Sequence, residues 1–245
     1  MTKREIAASI DHTFLKAAGD SDAVERLCAE AKEYHFACAM VNPAEVKRAA
    51  ELLDGSGVRV GTVVGFPLGQ NTVKVKCFEA VEAVQNGATD IDYVLNIRDL
   101  RTKPSDAVLE DLTLLNLAPK KVSDEVVTKL IIECCYLTDD EKVLACRLAK
   151  KAGFDFVKTS TGFGTGGATV ADVALMRKTV GKTMGVKAAG GIRTLDDALK
   201  MLAAGANRLG CSAGVEIIES LSVGRLGRYI FSRCLRSAMP SASVR

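Results

Sequence analysis

Residues Lys151–Gly191 read KAGFDFVKTSTGFGTGGATVADVALMRKTVGKTMGVKAAGG. The stretch opens on the end of an amphipathic pattern at 139–152, closed by Gly153, and passes at once into a short aromatic and β-branched run at Phe154–Thr159. A glycine-rich turn follows, then a second helical pattern at 169–180, then another short run at Gly185–Ala189. Strand, crossover helix and parallel strand form the repeating unit of an α/β sheet.

The same alternation continues outward in both directions. Candidate strands fall at Ile10–Thr13, Cys38–Val41, Val58–Gly65, Asp90–Asn96, Val127–Glu133, Phe154–Thr159, Gly185–Ala189 and Asn207–Cys211. Eight strands predict an α/β fold of one closed (β/α)8 TIM barrel, a size that 245 residues suit. Further helical patterns lie near 21–34, 44–53, 72–87 and 194–204. Between Asn96 and Val127, Pro104 and Pro119 flank an expected helix at Ser105–Leu115, with Ser105 as its cap. The barrel domain is expected over 1–220, followed by an Arg-rich tail at 221–245 that is helical or partly disordered.

Composition narrows the partners. A net charge of +3 with acidic and basic residues interspersed offers no footprint for nucleic acid, so a small molecule is the better expectation. The tail is the exception: Arg225, Arg228, Arg233, Arg236 and Arg245 occur there with no acidic residue, as a solvated helix or a partner-binding or membrane-surface segment would have. The eight cysteines form no C-x-x-C pair and read as reduced thiols of a cytoplasmic protein. His12 and His35 have no companions at ligand spacing, so no metal site and no cofactor are expected. No run approaches the roughly 20 apolar residues of a membrane span, and no signal peptide is read at the start.

Barrels of this kind place their chemistry where strands end and βα loops begin. Two such ends carry a lysine among small or apolar residues: Lys158 in FVKTS and Lys187 in VKAA. Each is either a side chain snorkelling to solvent or an ammonium with a task. On adjacent strands about 4.8 Å apart, two ammonium groups disfavour each other's charge, which would leave one amine neutral and able to attack a carbonyl. On the fourth strand, alternation puts Asp90 and Asp92 on one side with Ile91 and Tyr93 on the other. Asp92 reads equally well as a proton shuttle or as a structural partner of a lysine, and both roles can coexist. Asp11 and Thr13, at the first strand's end, are candidates for hydrogen bonds at the mouth or for capping.

Glycine lets backbone N–H groups approach a phosphate closely. Three loops have that character: 161–167, 189–192 and 210–214, containing Thr161, Gly162, Gly190, Gly191 and Ser212. Gly181-Lys182-Thr183 lacks the upstream glycine of a Walker motif, because Met176 stands there.

With these residues in view, the chain resembles the deoxyribose-phosphate aldolases from about Ile10 to Ile218, through IDHTFLK, VGFPLG, FEAVEAVQNGATDIDYVLN, FVKTSTGFGTGGAT, VKAAGGIRTLDDALKMLAAGANRLG and SAGV. The resemblance implies a metal-free class I aldolase that reversibly cleaves 2-deoxy-D-ribose 5-phosphate to D-glyceraldehyde 3-phosphate and acetaldehyde. It implies Lys158 as the Schiff-base lysine, Lys187 as the lysine that tunes it and Asp92 as proton donor or acceptor. Gly162, Gly190, Gly191 and Ser212 would lie in the phosphate loops. A homo-oligomer, dimer or tetramer, is expected. Three features depart from the family pattern: Gln70 and Asn71 after PLG, Arg98 and Asp99 after the fourth strand, and Cys211. A barrel kept for binding without turnover, or an aldolase with altered aldehyde preference, are the other readings.

Overall fold

A computed structural model describes residues 1–221; the Arg-rich tail expected at 221–245 lies outside the described residues but for Leu221. Eight parallel strands close into a barrel in sequence order: β1 (Ile10–Thr13), β2 (Cys38–Val41), β3 (Arg59–Val64), β4 (Asp90–Val94), β5 (Val127–Ile131), β6 (Phe156–Lys158), β7 (Gly185–Ala189) and β8 (Arg208–Cys211). The main crossover helices are α2 (Ala23–Glu33), α3 (Val46–Leu53), α4 (Val73–Gln85), α6 (Ser105–Lys120), α7 (Asp139–Lys151), α8 (Val170–Val180) and α9 (Leu195–Ala203). Two short helices, α1 (Lys3–Ala7) and α5 (Ile97–Thr102), have no counterpart in the sequence reading. None of the described helices is long and apolar enough to cross a membrane, and the seven cysteines of the described residues are free.

Local capping explains most boundaries. Thr138 and Glu141, and Thr194 and Asp197, form capping boxes that start α7 and α9, while Thr72 and Thr169 cap α4 and α8. β4 stops short of the expected Asn96 because the Asn96 side chain accepts from the Asp99 N–H, 3.2 Å, and starts α5. β5 stops short of Glu133 because that residue takes a left-handed φ of 56°. β6 begins at Phe156, because the Asp155 carboxylate instead accepts from the Thr128 N–H, 2.8 Å.

Helix α6 corrects two expectations. Pro104, without a side-chain cap bond, precedes the helix, so Ser105 is its first residue and not its cap. The helix also runs through Pro119 to Lys120. Proline has no N–H to give the carbonyl four residues back, and here that carbonyl, Leu115, accepts from the Tyr93 hydroxyl at 2.8 Å. Tyr93 faces outward from β4 and is fully buried against the helical layer. One outward tyrosine thus satisfies the group that proline leaves free.

Inside the barrel the side chains divide into two sectors. β2 and β3 contribute an apolar one, Cys38, Met40 and Val63 with Leu15 above them. It is filled so tightly that a Cβ at Gly61 would stand 2.1 Å from the Met40 sulfur. The other sector, from β1 and β4 through β8 with Arg59 at the start of β3, is ionic, and the site is built on it.

Candidate active site

Parallel register sets Lys158 of β6 beside Lys187 of β7, Lys187 beside Arg208 of β8, and Asp92 of β4 beside Lys129 of β5. All point into the barrel by strand alternation. Lys158 Nζ and Lys187 Nζ both donate to Asp92 Oδ2, at 2.9 and 2.8 Å. Lys129 Nζ lies 3.2 Å from Asp92 Oδ1 and donates to Asp90, which also accepts from Arg59. Lys187 Nζ lies 2.5 Å from Asp11 Oδ2, and Arg208 Nη1 donates to the other oxygen of Asp11 at 2.5 Å. A Cβ on Gly210 would stand 3.1 Å from the Lys187 Cε, so the bare backbone there makes room for the lysine.

Asp11, Asp90, Asp92, Lys129 and Lys187 are wholly buried, and Lys158 is 3% exposed. Three carboxylates face five cations, Arg59, Lys129, Lys187, Arg208 and Lys158, so positive charge is in surplus. Lys158 reaches only Asp92, which it shares with Lys129 and Lys187. Burial, followed by the neighbouring Lys187 charge, outweighs Asp92 and pulls the Lys158 ammonium down to about 8. Burial acts on Lys187 too, but Asp11 and Asp92 outweigh it and hold that ammonium above its ordinary range. Asp92 is opposed by burial yet held well below the usual carboxylate range by Lys129, Lys158 and Lys187. The resting site therefore pairs an amine that loses its proton readily with a neighbour that keeps its own and a carboxylate that stays ionised.

Above this cluster opens a cavity of about 640 Å³ whose lining includes Lys158, Thr13, Thr161 and Gly162. Gly190, Gly191 and Ser212 line it as well, together with the cations Lys16 and Arg193. Asp92 and Lys187 lie beneath it, Asp92 bonded to both Lys158 and Lys187. Asp11, read as a candidate at the mouth, is instead sealed below it, tied to Lys187 and Arg208. Thr13 remains at the surface of the cavity, its hydroxyl donating to the Asp11 carbonyl at 2.8 Å.

The loops above β6 and β7 are stitched together. Ala168 N–H donates to the Gly190 carbonyl at 3.0 Å, and a Cβ on Gly167 would stand 2.3 Å from that oxygen. Gly190 and Gly191 both need left-handed backbone, with φ of 86° and 81°. Buried Glu133 anchors the turn after β6 by accepting from the Thr161 hydroxyl at 2.5 Å and from its N–H at 3.2 Å.

The departures noted in the sequence fall in different places. Cys211 lines the main cavity, and burial pushes its thiol up to about 12, so it stays protonated. Arg98 is exposed on α5, while Gln70, Asn71 and Asp99 line a separate, smaller cavity. Six groups of the site escaped the sequence reading: Lys129, Arg59, Arg208 and Glu133 below and beside the cavity, and Lys16 and Arg193 in its lining. Lys129 did carry a signal, since it alternates with Leu130 on the same inward parity as Asp92 on β4.

The sequence model of the DeoC/LacD family of aldolases matches residues 6–220. The chain belongs to that family. The aldolase is 53% identical to the deoxyribose-phosphate aldolase of Bacteroides thetaiotaomicron over 220 residues, covering 90% of this chain and 92% of that one. It is 55% identical to the deoxyribose-phosphate aldolase of a Thermoanaerobacter species over 214 residues, 87% of this chain and 96% of the relative. Among solved structures, the aldolase QR15 superposes with a TM-score of 0.84 at 36% identity, over 91% of this chain and 98% of the other. The tetrameric deoxyribose phosphate aldolase of Aeropyrum pernix gives 0.82 at 34% identity, over 90% and 92%.

Proposed function

We propose that this aldolase cleaves 2-deoxy-D-ribose 5-phosphate reversibly to D-glyceraldehyde 3-phosphate and acetaldehyde, with Lys158 as its Schiff-base amine. One observation carries the assignment: Lys158 is the lysine of the ionic cluster that lines the open cavity, and within that cluster its ammonium is the one brought down, to about 8. A neutral amine in a desolvated pocket is what attack on an aldehyde requires.

The neutral Lys158 nitrogen adds to C1 of the open-chain sugar, and loss of water gives a protonated imine. That imine withdraws the electron pair as the C2–C3 bond breaks and the C3 hydroxyl loses its proton. Glyceraldehyde 3-phosphate leaves, and the enamine that remains on Lys158 is protonated at C2 and hydrolysed to acetaldehyde. Asp92 accepts and returns protons through these steps, directly or through water, a role supported by its hydrogen bonds to Lys158 and Lys187. Lys187, which keeps its charge, tunes Lys158 and relays through the shared Asp92 oxygen. Gly162, Gly190, Gly191 and Ser212 supply the phosphate loops, with Lys16 and Arg193 as counter-charges on the same wall. Thr13 and Thr161 offer hydroxyls to the sugar, and Asp11 acts from below by holding Lys187. The working protein is a cytoplasmic homo-oligomer, a dimer or a tetramer; the relative from Aeropyrum pernix is tetrameric.

Borohydride trapping tests the assignment. The protein is incubated with 2-deoxy-D-ribose 5-phosphate, reduced and mapped by peptide mass spectrometry. A reduced adduct on Lys158 that vanishes in Lys158→Ala is expected. Folded protein that forms no adduct with the sugar or with acetaldehyde would instead be a barrel without turnover.

A further inference from the structure

A second lysine is buried away from the ionic cluster. Lys76 of α4 is 2% exposed, and its stem passes under Gly65, where a Cβ would stand 2.6 Å from its Cε. Its Nζ donates to the Val94 carbonyl at 2.7 Å, and no carboxylate among the described residues comes within ion-pair distance of it. Asp99 and Asp111, the acids that line the same cavity, are both bonded to Lys103, at 3.0 and 2.8 Å. An ammonium has three protons to donate, and one hydrogen bond is made.

Lys76 lines a cavity of about 250 Å³ between α4, α5 and α6. Its rim is exposed Gln70, Asn71, Thr72 and Lys103, and its floor is apolar Leu112 and Leu115. The space suits a short alkyl chain and is well under half of the main cavity. We infer that Lys76 is a second carbonyl-reactive amine, at which a small aliphatic aldehyde entering this cavity condenses to an imine. The neutral nitrogen adds to the carbonyl carbon, the resulting carbinolamine hydroxyl leaves as water with a proton from solvent, and a C=N bond replaces C=O. Burial, opposed in part by Asp99, Glu79 and Asp111, brings the Lys76 ammonium down to about 8 and leaves a large neutral fraction in mild alkali. An ordinary lysine near 10.4 is under about 1% neutral at pH 8.

The choice of acetaldehyde as probe rests on the proposed reaction; the reactivity of Lys76 does not. Lys158→Ala protein is therefore incubated with acetaldehyde at pH 8, reduced with cyanoborohydride, digested and sequenced by mass spectrometry for N-ethyl-lysine. Lys74, exposed two residues away on the same helix, is the internal reference. Lys76 is expected to be labelled at least about tenfold faster than Lys74, with the advantage lost when Val73→Trp narrows the rim. Labelling of Lys76 no faster than Lys74, or labelling unaffected by Val73→Trp, overturns the inference. If the aldolase reading alone is wrong, wild-type protein fails to turn over the sugar while Lys76 is still labelled.

Discussion

Replacing Lys187 by Met tests how the site prepares its amine. Lys158 Nζ and Lys187 Nζ lie 2.9 and 2.8 Å from one carboxylate oxygen, so the two nitrogens are within about 6 Å of each other. At that separation and an effective dielectric constant of about 20, two positive charges repel by about 3 kcal/mol, or about two pKa units. Removing Lys187 lifts that repulsion and also leaves Asp92 with fewer cations to share. Both effects raise the Lys158 ammonium from about 8. The rate of cyanoborohydride trapping of acetaldehyde on Lys158, followed from pH 6 to 10.5, is expected to move its midpoint up by about one to two units, with a loss of about 10- to 100-fold at pH 7. Asp92→Asn removes the carboxylate that raises Lys158, so its midpoint should move the other way, below 8. A folded Lys187→Met protein whose midpoint stays near 8 or falls would refute the reasoning, leaving burial alone to set the amine.

Two further outcomes concern stability. In the folded protein Lys158 sits at about 8, against an ordinary value near 10.4, so below pH 8 the fold carries a buried ammonium at a cost of about 3 kcal/mol. That cost fades as pH rises from 8 to 10.4; Lys158→Met should therefore raise the melting temperature by about 6–12 °C at pH 7 and by little at pH 10, and a lower melting temperature at pH 7 would contradict the surplus-cation picture. Tyr93→Phe should cost about 1–2 kcal/mol in urea unfolding, since the Leu115 carbonyl beside Pro119 loses its donor, while Lys158 trapping is unchanged; a neutral result would mean that water replaces the hydroxyl.

Much of the fold was legible because strand and helix periods are local. β1, β2 and β7 have the ends read from their apolar runs, and the threonines before α4, α7, α8 and α9 mark those starts chemically. The errors cluster where a distant group decides. Pro119 looked like a stop for α6, and only Tyr93, 22 residues before Leu115 and on another element, removes the reason for stopping. Glu133 looked like strand, and its left-handed turn belongs with its grip on Thr161, 28 residues on.

The site divides in the same way. Strand alternation and βα topology point Lys158, Lys187 and Asp92 inward near one mouth, and the glycine-rich loops mark where backbone can approach an anion; those follow from the sequence by itself. Which of the two amines gives up its proton more readily is a matter of tertiary structure. Asp92 and Lys187 are 95 residues apart, and Lys187 stays charged because Asp11 and Asp92 both reach it, a fact of closure between β1 and β8 that no local pattern contains. Proton affinity depends on burial and on charges within a few ångströms, and those distances exist only once the barrel has closed.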